Sequence, residues 1–147
     1  MATKRKAVSR KPSGSTRRPP DHGRRPDVIL DVDCEQGLLF LVLSNIGDDL
    51  ACQVSVRFSH KLLGLAGDRV VSDAAIFRNL SYLPPGKSIR VFLDAAPLLF
   101  GRQKENSFRA HVQYRNRSGN EYTETFAHDL DVYRDLPEAG RSSSSTA

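Results

Sequence analysis

LLFLVLSNIGDDLACQVSVRF, residues 38–58, is the stretch that decides the fold, because two apolar runs flank a polar break. The first run, residues 38–43, is apolar throughout, which is typical of a short strand covered on both faces. The second run alternates, with its apolar residues from Cys52 to Phe58 on one face, and predicts a half-buried strand. The break, residues 45–50, contains a glycine and two aspartates, which favour turns. We therefore expect a central β-hairpin on which the other strands assemble.

Short alternating segments recur along the rest of the chain. Val28 opens an alternation of apolar and polar residues, and residues 88–93 alternate again after the turn LPPGK at 83–87. Proline presets φ in such a turn, and glycine tolerates positive φ. About seven short strands, with turn signals roughly every 8–12 residues, predict an all-β fold. The expected architecture is an immunoglobulin-like antiparallel β-sandwich with disordered N- and C-terminal tails.

The last hairpin is the clearest after the first. Residues 117–119, Arg-Ser-Gly, predict a three-residue loop with Gly119 in the left-handed conformation. The acidic side chain of Glu124 is then predicted on the inner face, where a bulge or a position on an edge strand would give it access to water. The register predicts these cross-strand pairs: Tyr114 with Tyr122, Arg115 with Glu121, Val112 with Glu124, His111 with Thr125, and Phe108 with His128.

Other segments carry weaker patterns. Residues 59–73 are irregular, residues 74–80 predict one short strand with Ile76 in the core, and residues 94–104 fit an apolar loop better than a helical turn. Val132 is expected to complete the inner face of the last strand. Six apolar side chains are expected to be buried together between two sheets: Phe40, Val54, Val56, Val91, Val112 and Phe126.

Two turn motifs stand out: LVLSNIG at 41–47, followed by Ala51, and LPPGK at 83–87, before Ile89 and Val91. They resemble the N-x-G hairpin turn and the L-x-P-G turn of CARDB-type bacterial immunoglobulin-like domains. The resemblance covers residues 28–93 and extends more weakly to 133. It implies a β-sandwich that serves as a non-enzymatic interaction or spacer module.

The positive charge is concentrated at the N-terminus. The formal net charge is +5, yet residues 1–26 hold nine Lys or Arg and a single acid, Asp21. We divide the chain into a disordered basic tail at 1–26, a β-sandwich at 27–136 and a disordered Ser-rich tail at 137–147. The basic tail could bind the phosphates of nucleic acid, bind an anionic membrane, or serve solubility alone. Its candidate polyanion-binding residues are Lys4, Arg5, Lys6, Arg10, Lys11, Arg17, Arg18, Arg24 and Arg25.

No pattern of catalytic or metal-binding residues emerges. The chain lacks the GxxxxGK[ST], GxGxxG and HExxH motifs. Cys34 and Cys52 are expected to be free thiols. A solvated acidic edge, with a Ca²⁺ site as the alternative, is expected from four carboxylates on the first and last strands: Asp31, Asp33, Asp129 and Asp131. The histidines of the domain, His60, His111 and His128, are expected to be ordinary strand and loop residues. We predict no catalytic residue, no metal site and no cofactor.

These observations favour a non-enzymatic protein-interaction or structural module with an unidentified protein partner. No apolar run is long enough to cross a bilayer and no signal peptide is evident, so a cytoplasmic location is expected. The alternative is a nucleic-acid-associated protein that binds non-specifically through its basic tail. An interaction module should expose an apolar patch, whereas an enzyme should carry a pocket with convergent polar groups.

Overall fold

The computed structural model describes residues 24–103 and 105–134. The tails predicted at 1–26 and 137–147 lie outside these ranges, except for residues 24–26. In the described part, short helices interrupt the strands at α1 (Ala75–Arg78) and α2 (Ala96–Arg102), with 3₁₀ turns at Val71–Asp73 and Leu130–Tyr133. The strands are β1 (Val28–Glu35), β2 (Leu38–Asn45), β3 (Ala51–Phe58), β4 (Leu63–Gly64), β5 (Arg69–Val70), β6 (Leu80–Leu83), β7 (Ser88–Ala95), β8 (Ser107–Arg115) and β9 (Glu121–Asp129).

Seven of these strands build two antiparallel sheets. One sheet has the order β1-β2-β7 and the other β6-β3-β8-β9, while β4 and β5 form a separate small hairpin. The prediction of an all-β immunoglobulin-like sandwich is therefore confirmed. In the constant-type arrangement the fourth strand extends the sheet of the first two strands. Here β6 pairs with β3 instead, so the second sheet is the wider one.

The central hairpin predicted from residues 38–58 is wrong, because β2 and β3 belong to different sheets. The polar break crosses between the sheets, and the buried side chain of Asn45 holds it there. Its Oδ1 accepts hydrogen bonds from the backbone N–H groups of Asp27 and Gly47. Its Nδ2 donates to the carbonyl oxygens of Asp49 and Leu83. All four hydrogen-bonding positions of the amide are thus used, which stabilises the crossing as a buried polar network.

A β-bulge in β3 changes which residues face the core. Gln53 has a φ of 51°, and the pairing with β8 shifts by one residue between Cys52 and Ser55. Because the extra residue reverses the alternation, Ala51 is fully buried and Cys52 turns to the outer face. The prediction that Cys52 shares the apolar face of Val54 is therefore wrong.

The core lies between the two sheets and includes three of the six predicted side chains. Val54, Val56 and Val112 are buried. Three others are only partly buried, at Phe40, Val91 and Phe126. Phe40 belongs to the outer face of its sheet, because residues 38–43 of β2 alternate and the buried ones are Leu39, Leu41 and Leu43. The run at 38–43, although apolar at every position, is thus fully covered on only one of its two faces.

Four weaker predictions are corrected by the segments that connect or follow the strands. The segment predicted as a strand at 74–80 instead contains α1 at 75–78, and β6 begins only at Leu80. Phe77 is fully buried in α1, and Ile76 is only partly buried. Residues 96–102 form α2 rather than a loop, and this helix buries Leu99. The irregular segment at 59–73 contains the β4–β5 hairpin. Val132 lies in a 3₁₀ turn and is exposed rather than part of the inner face.

The register predicted for the last hairpin is confirmed. Tyr114 lies opposite Tyr122 with stacked rings, and Val112 lies opposite Glu124. Gly119 has a φ of 90°, as the three-residue loop requires. Because β9 is an edge strand of its sheet, the half-buried side chain of Glu124 retains access to water. His128 of β9 also contacts the first sheet, through a 2.7 Å hydrogen bond between its Nε2 and the carbonyl oxygen of Leu30.

Candidate interaction surfaces

An apolar patch lies on the outer face of the three-stranded sheet; we call it the aromatic face and define it by Leu38, Phe40, Val42 and Phe92. Phe40 on β2 pairs with Phe92 on β7, and their ring centroids lie 5.6 Å apart in an edge-to-face arrangement. Leu38 is 39% exposed and Phe92 is 37% exposed. The face follows from the alternation of both strands, which sends every second side chain away from the core.

Arg90 lies within the aromatic face and is held in place on two sides. Its guanidinium carbon lies 3.9 Å from the centroid of the Phe40 ring. The same guanidinium reaches across β2 and forms ion pairs of 3.0 Å with Asp33 and 3.1 Å with Glu35 on β1. A cation over an aromatic ring and two carboxylates together restrict the rotamers of Arg90. Arg90 therefore has three contacts within the domain itself, with Phe40, Asp33 and Glu35.

The four carboxylates of the predicted acidic edge each have their own protein partners. Asp33 pairs with Arg90, Asp31 accepts from the N–H of Val32, and Asp129 accepts from the N–H of Asp131. Asp131 accepts from Arg134 and Asn106, and these two hydrogen bonds, the one from Arg134 first, lower the pKa of its carboxyl group. Within residues 24–103 and 105–134, no group of three or more His, Cys, Asp or Glu side chains is placed to hold a metal ion.

A second surface is a groove of about 360 Å³, open to solvent, between β6 and the loop of the β8–β9 hairpin. We call it the tip groove and define it by its lining residues: Cys52, Gln53, Asn79, Ser81, Tyr82, Arg115, Asn116, Arg117 and Gly119. Tyr82 is 62% exposed. The bulge at Gln53 creates this site by turning Cys52 outward, opposite Arg115. Sequence reasoning missed the groove because a one-residue bulge leaves no distinct signal in an alternating strand.

No arrangement of nucleophile and base is visible in the described ranges. Neither Cys34 nor Cys52 forms a disulfide bond, in agreement with the prediction. The three histidines of the domain bind backbone or hydroxyl oxygens: His60 contacts the carbonyl oxygens of Lys61 and Ser107, His111 contacts Thr125, and His128 contacts Leu30. None of these partners is a thiol or a second ionisable group.

Two of the nine predicted polyanion-binding residues are described, namely Arg24 and Arg25. Arg25 lies over the ring of Tyr122, with 5.0 Å between its guanidinium carbon and the ring centroid. Its backbone N–H donates to the carboxylate of Asp48, and its carbonyl oxygen accepts from the N–H of Asp48. The other seven lie outside the described residues: Lys4, Arg5, Lys6, Arg10, Lys11, Arg17 and Arg18.

Three comparisons with known proteins bear on the chain. Neither the curated proteins nor the solved structures contain a match to it. In the described part of the chain, no helix is long and apolar enough to cross a membrane. One family model matches residues 2–134, which is most of the sequence. The chain therefore belongs to the family described as domain of unknown function DUF8453.

Proposed function

We propose that this domain is a non-enzymatic protein-interaction module whose binding surface is the aromatic face. The observation that carries the proposal is the pair Phe40 and Phe92, two large aromatic side chains packed against each other on the solvent side of a sheet. Aromatic and arginine side chains supply most of the binding energy at many protein interfaces. The resemblance to CARDB-type domains supports the same non-enzymatic class.

The charges around the aromatic face indicate the kind of partner. Asp33 and Glu35 share one cation, Arg90, and Asp31 lies on the same strand face, so the rim nearest β1 is negative. A partner protein with apolar side chains at its centre and Lys or Arg at its rim would complement this surface. Because Arg90 already lies over the Phe40 ring in the free domain, less side-chain entropy is lost when such a partner binds.

Site-specific photo-crosslinking tests this proposal. A photoreactive phenylalanine analogue placed at position 92 should form one discrete protein adduct in cells, and the same analogue at position 82 should not. With the captured partner purified, Phe92→Ala should weaken its affinity tenfold or more, since removal of a central interface aromatic commonly costs about 2 kcal/mol or more.

The control is Tyr82→Ala, which removes a more exposed aromatic side chain from the opposite sheet and should leave that affinity unchanged. Equal affinities of the wild type and of Phe92→Ala for the captured partner would reject the aromatic face as the binding surface.

The second candidate function, non-specific association with nucleic acid through the basic tail, has a specific observation in its favour. The tail joins the domain at Arg24 and Arg25, and Arg25 reaches Tyr122 of the β8–β9 hairpin. The tail therefore leaves the sandwich at the end where the tip groove lies. If the tail alone carries the affinity, deleting residues 1–23 should abolish salt-dependent binding to DNA or RNA.

A further inference from the structure

We propose that the tip groove is a binding site for a single-stranded nucleic acid, with phosphates on Arg115 and Arg117 and a base stacked on Tyr82. The proposal is independent of the aromatic face, which lies on the opposite sheet. It assigns to the folded domain a site that the basic tail does not contain.

The electrostatics of the tip groove favour an anionic ligand. The only charged residues that line it in the described part of the chain are Arg115 and Arg117. Their acidic neighbours lie outside the lining: Arg115 is 3.8 Å from Glu121, and Arg117 is 3.5 Å from Asp49. The side chain of Arg117 is 68% exposed. The Arg115–Glu121 pair is exposed on both sides, and such pairs contribute little. Asp49 is partly buried, but it keeps the N–H of Leu50 as a donor when Arg117 turns away. Both guanidiniums can therefore turn to phosphate oxygens at small cost.

The neutral side chains of the groove suit a nucleotide rather than a simple anion. Tyr82 presents an exposed ring on the edge strand β6, and base stacking on such rings is tolerant of sequence. The exposed amides of Gln53 and Asn79 can donate to and accept from the edges of a base. Gln53 is placed there by the left-handed bulge, a conformation that is uncommon for residues other than glycine. Stacking requires an unpaired base, so the ligand is single-stranded.

The groove also lies close to the start of the basic tail. Arg25 contacts the ring of Tyr122, and the Nδ2 of Asn116, which lines the groove, lies 3.4 Å from the hydroxyl of Tyr122. A nucleic-acid strand whose base occupies the groove could therefore reach Arg25, which belongs to the described end of the basic segment. The tail would add affinity through charge, and the groove would add the preference for unpaired bases.

Fluorescence anisotropy with the full-length protein and a labelled 20-nucleotide oligo-dT, at about 50 and 150 mM salt, tests the site. The double variant Arg115→Ala/Arg117→Ala should bind at least tenfold more weakly, and its slope of log K against log salt should flatten by about 1.4, or 0.7 per phosphate contact. The matched control, Arg57→Ala/Arg109→Ala, removes the same charge from two exposed positions on the same sheet face outside the groove. The affinity of this control variant for oligo-dT should fall less than twofold.

Stacking is tested separately with Tyr82→Ala and Tyr82→Phe. The alanine variant should bind oligo-dT about fivefold more weakly or worse, whereas phenylalanine should restore binding. Neither should change affinity for a duplex of the same length.

The proposal is overturned if the groove and control double variants lose affinity equally, if Tyr82→Ala binds like the wild type, or if the full-length protein does not bind oligo-dT. Deleting residues 1–23 separates the two candidate sites. Residual binding that still depends on Tyr82 assigns the groove a site of its own, whereas complete loss assigns all affinity to the tail and rejects the groove.

Discussion

Gly47 shows how one residue decides where the chain crosses between the sheets. A Cβ added at this position would lie 2.3 Å from the carbonyl oxygen of Arg25 and 2.6 Å from the backbone nitrogen of Asp27. Both contacts are with backbone, which cannot move without breaking the bonds between residues 25–27 and 46–48. The glycine is therefore required by the close approach of two backbones.

We expect Gly47→Ala to lower the free energy of unfolding by about 2–3 kcal/mol, because the added methyl group overpacks this contact. Urea denaturation monitored by circular dichroism measures the change. The control is Gly101→Ala in α2, where an added Cβ meets nothing within 4 Å. Alanine in this helix should raise stability by about 0.5–1 kcal/mol. Equal effects of the two substitutions would contradict the close approach.

At the scale of elements, β3 carries the sharpest test of strand orientation. Val54 is fully buried, and its neighbour Ser55 lies on the outer face opposite Gln113. Val54→Asp should prevent folding, because a buried carboxylate without a partner is strongly unfavourable. Ser55→Asp, which introduces the same group one residue away, should shift the melting temperature only slightly. Similar melting curves for the two variants would show that β3 is wrongly oriented.

The two hairpin predictions show what sequence patterns can and cannot determine. For β8 and β9 the loop length fixes the register, so every pair from Arg115–Glu121 outward could be predicted from the position of Gly119. For β2 and β3 the same kind of pattern failed. A polar segment that contains glycine is compatible with a turn between two strands of one sheet, and equally with a connection that crosses from one sheet to the other. The difference lies in the bonds of Asn45 to Asp27 and Leu83, which are distant in sequence.

The candidate surfaces were less predictable than the fold. The outward direction of Phe92 follows from alternation, but Phe40 sits in a continuous apolar run and was expected in the core. The second sheet covers only the inner side of β2, and sequence alone does not reveal which side that is. The tip groove depends on the bulge at Gln53 and on the pairing of β6 with β3, which are both properties of the assembled sheet.

At the scale of the whole molecule, the sandwich includes the last residues of the segment assigned to the basic tail. Pro26 is buried, Arg25 bonds to Asp48, and the carbonyl oxygen of Asp27 accepts from the N–H of Ile46. We expect deletion of residues 1–23 to leave the melting temperature unchanged, since the composition of that segment offers almost nothing to the core.

Deletion of residues 1–27 should instead lower the melting temperature by several degrees, because it removes a buried proline and these backbone bonds. Differential scanning calorimetry of the two truncated proteins distinguishes the cases. A large loss already on deleting 1–23 would mean that the basic segment itself packs on the domain.

The contact between residues 25–27 and 46–48 also determines how the domain responds to mechanical force. A pull transmitted through the tail reaches the sandwich at residue 24, where the bonds between Arg25 and Asp48 and between Asp27 and Ile46 run across the strand direction. A pull along the axis of β1 loads these hydrogen bonds and those between β1 and β2 at the same time. A pull perpendicular to β1, away from β2, breaks the same hydrogen bonds one after another. We therefore expect the force that unfolds the domain to be higher for a pull along β1 than for a pull across it.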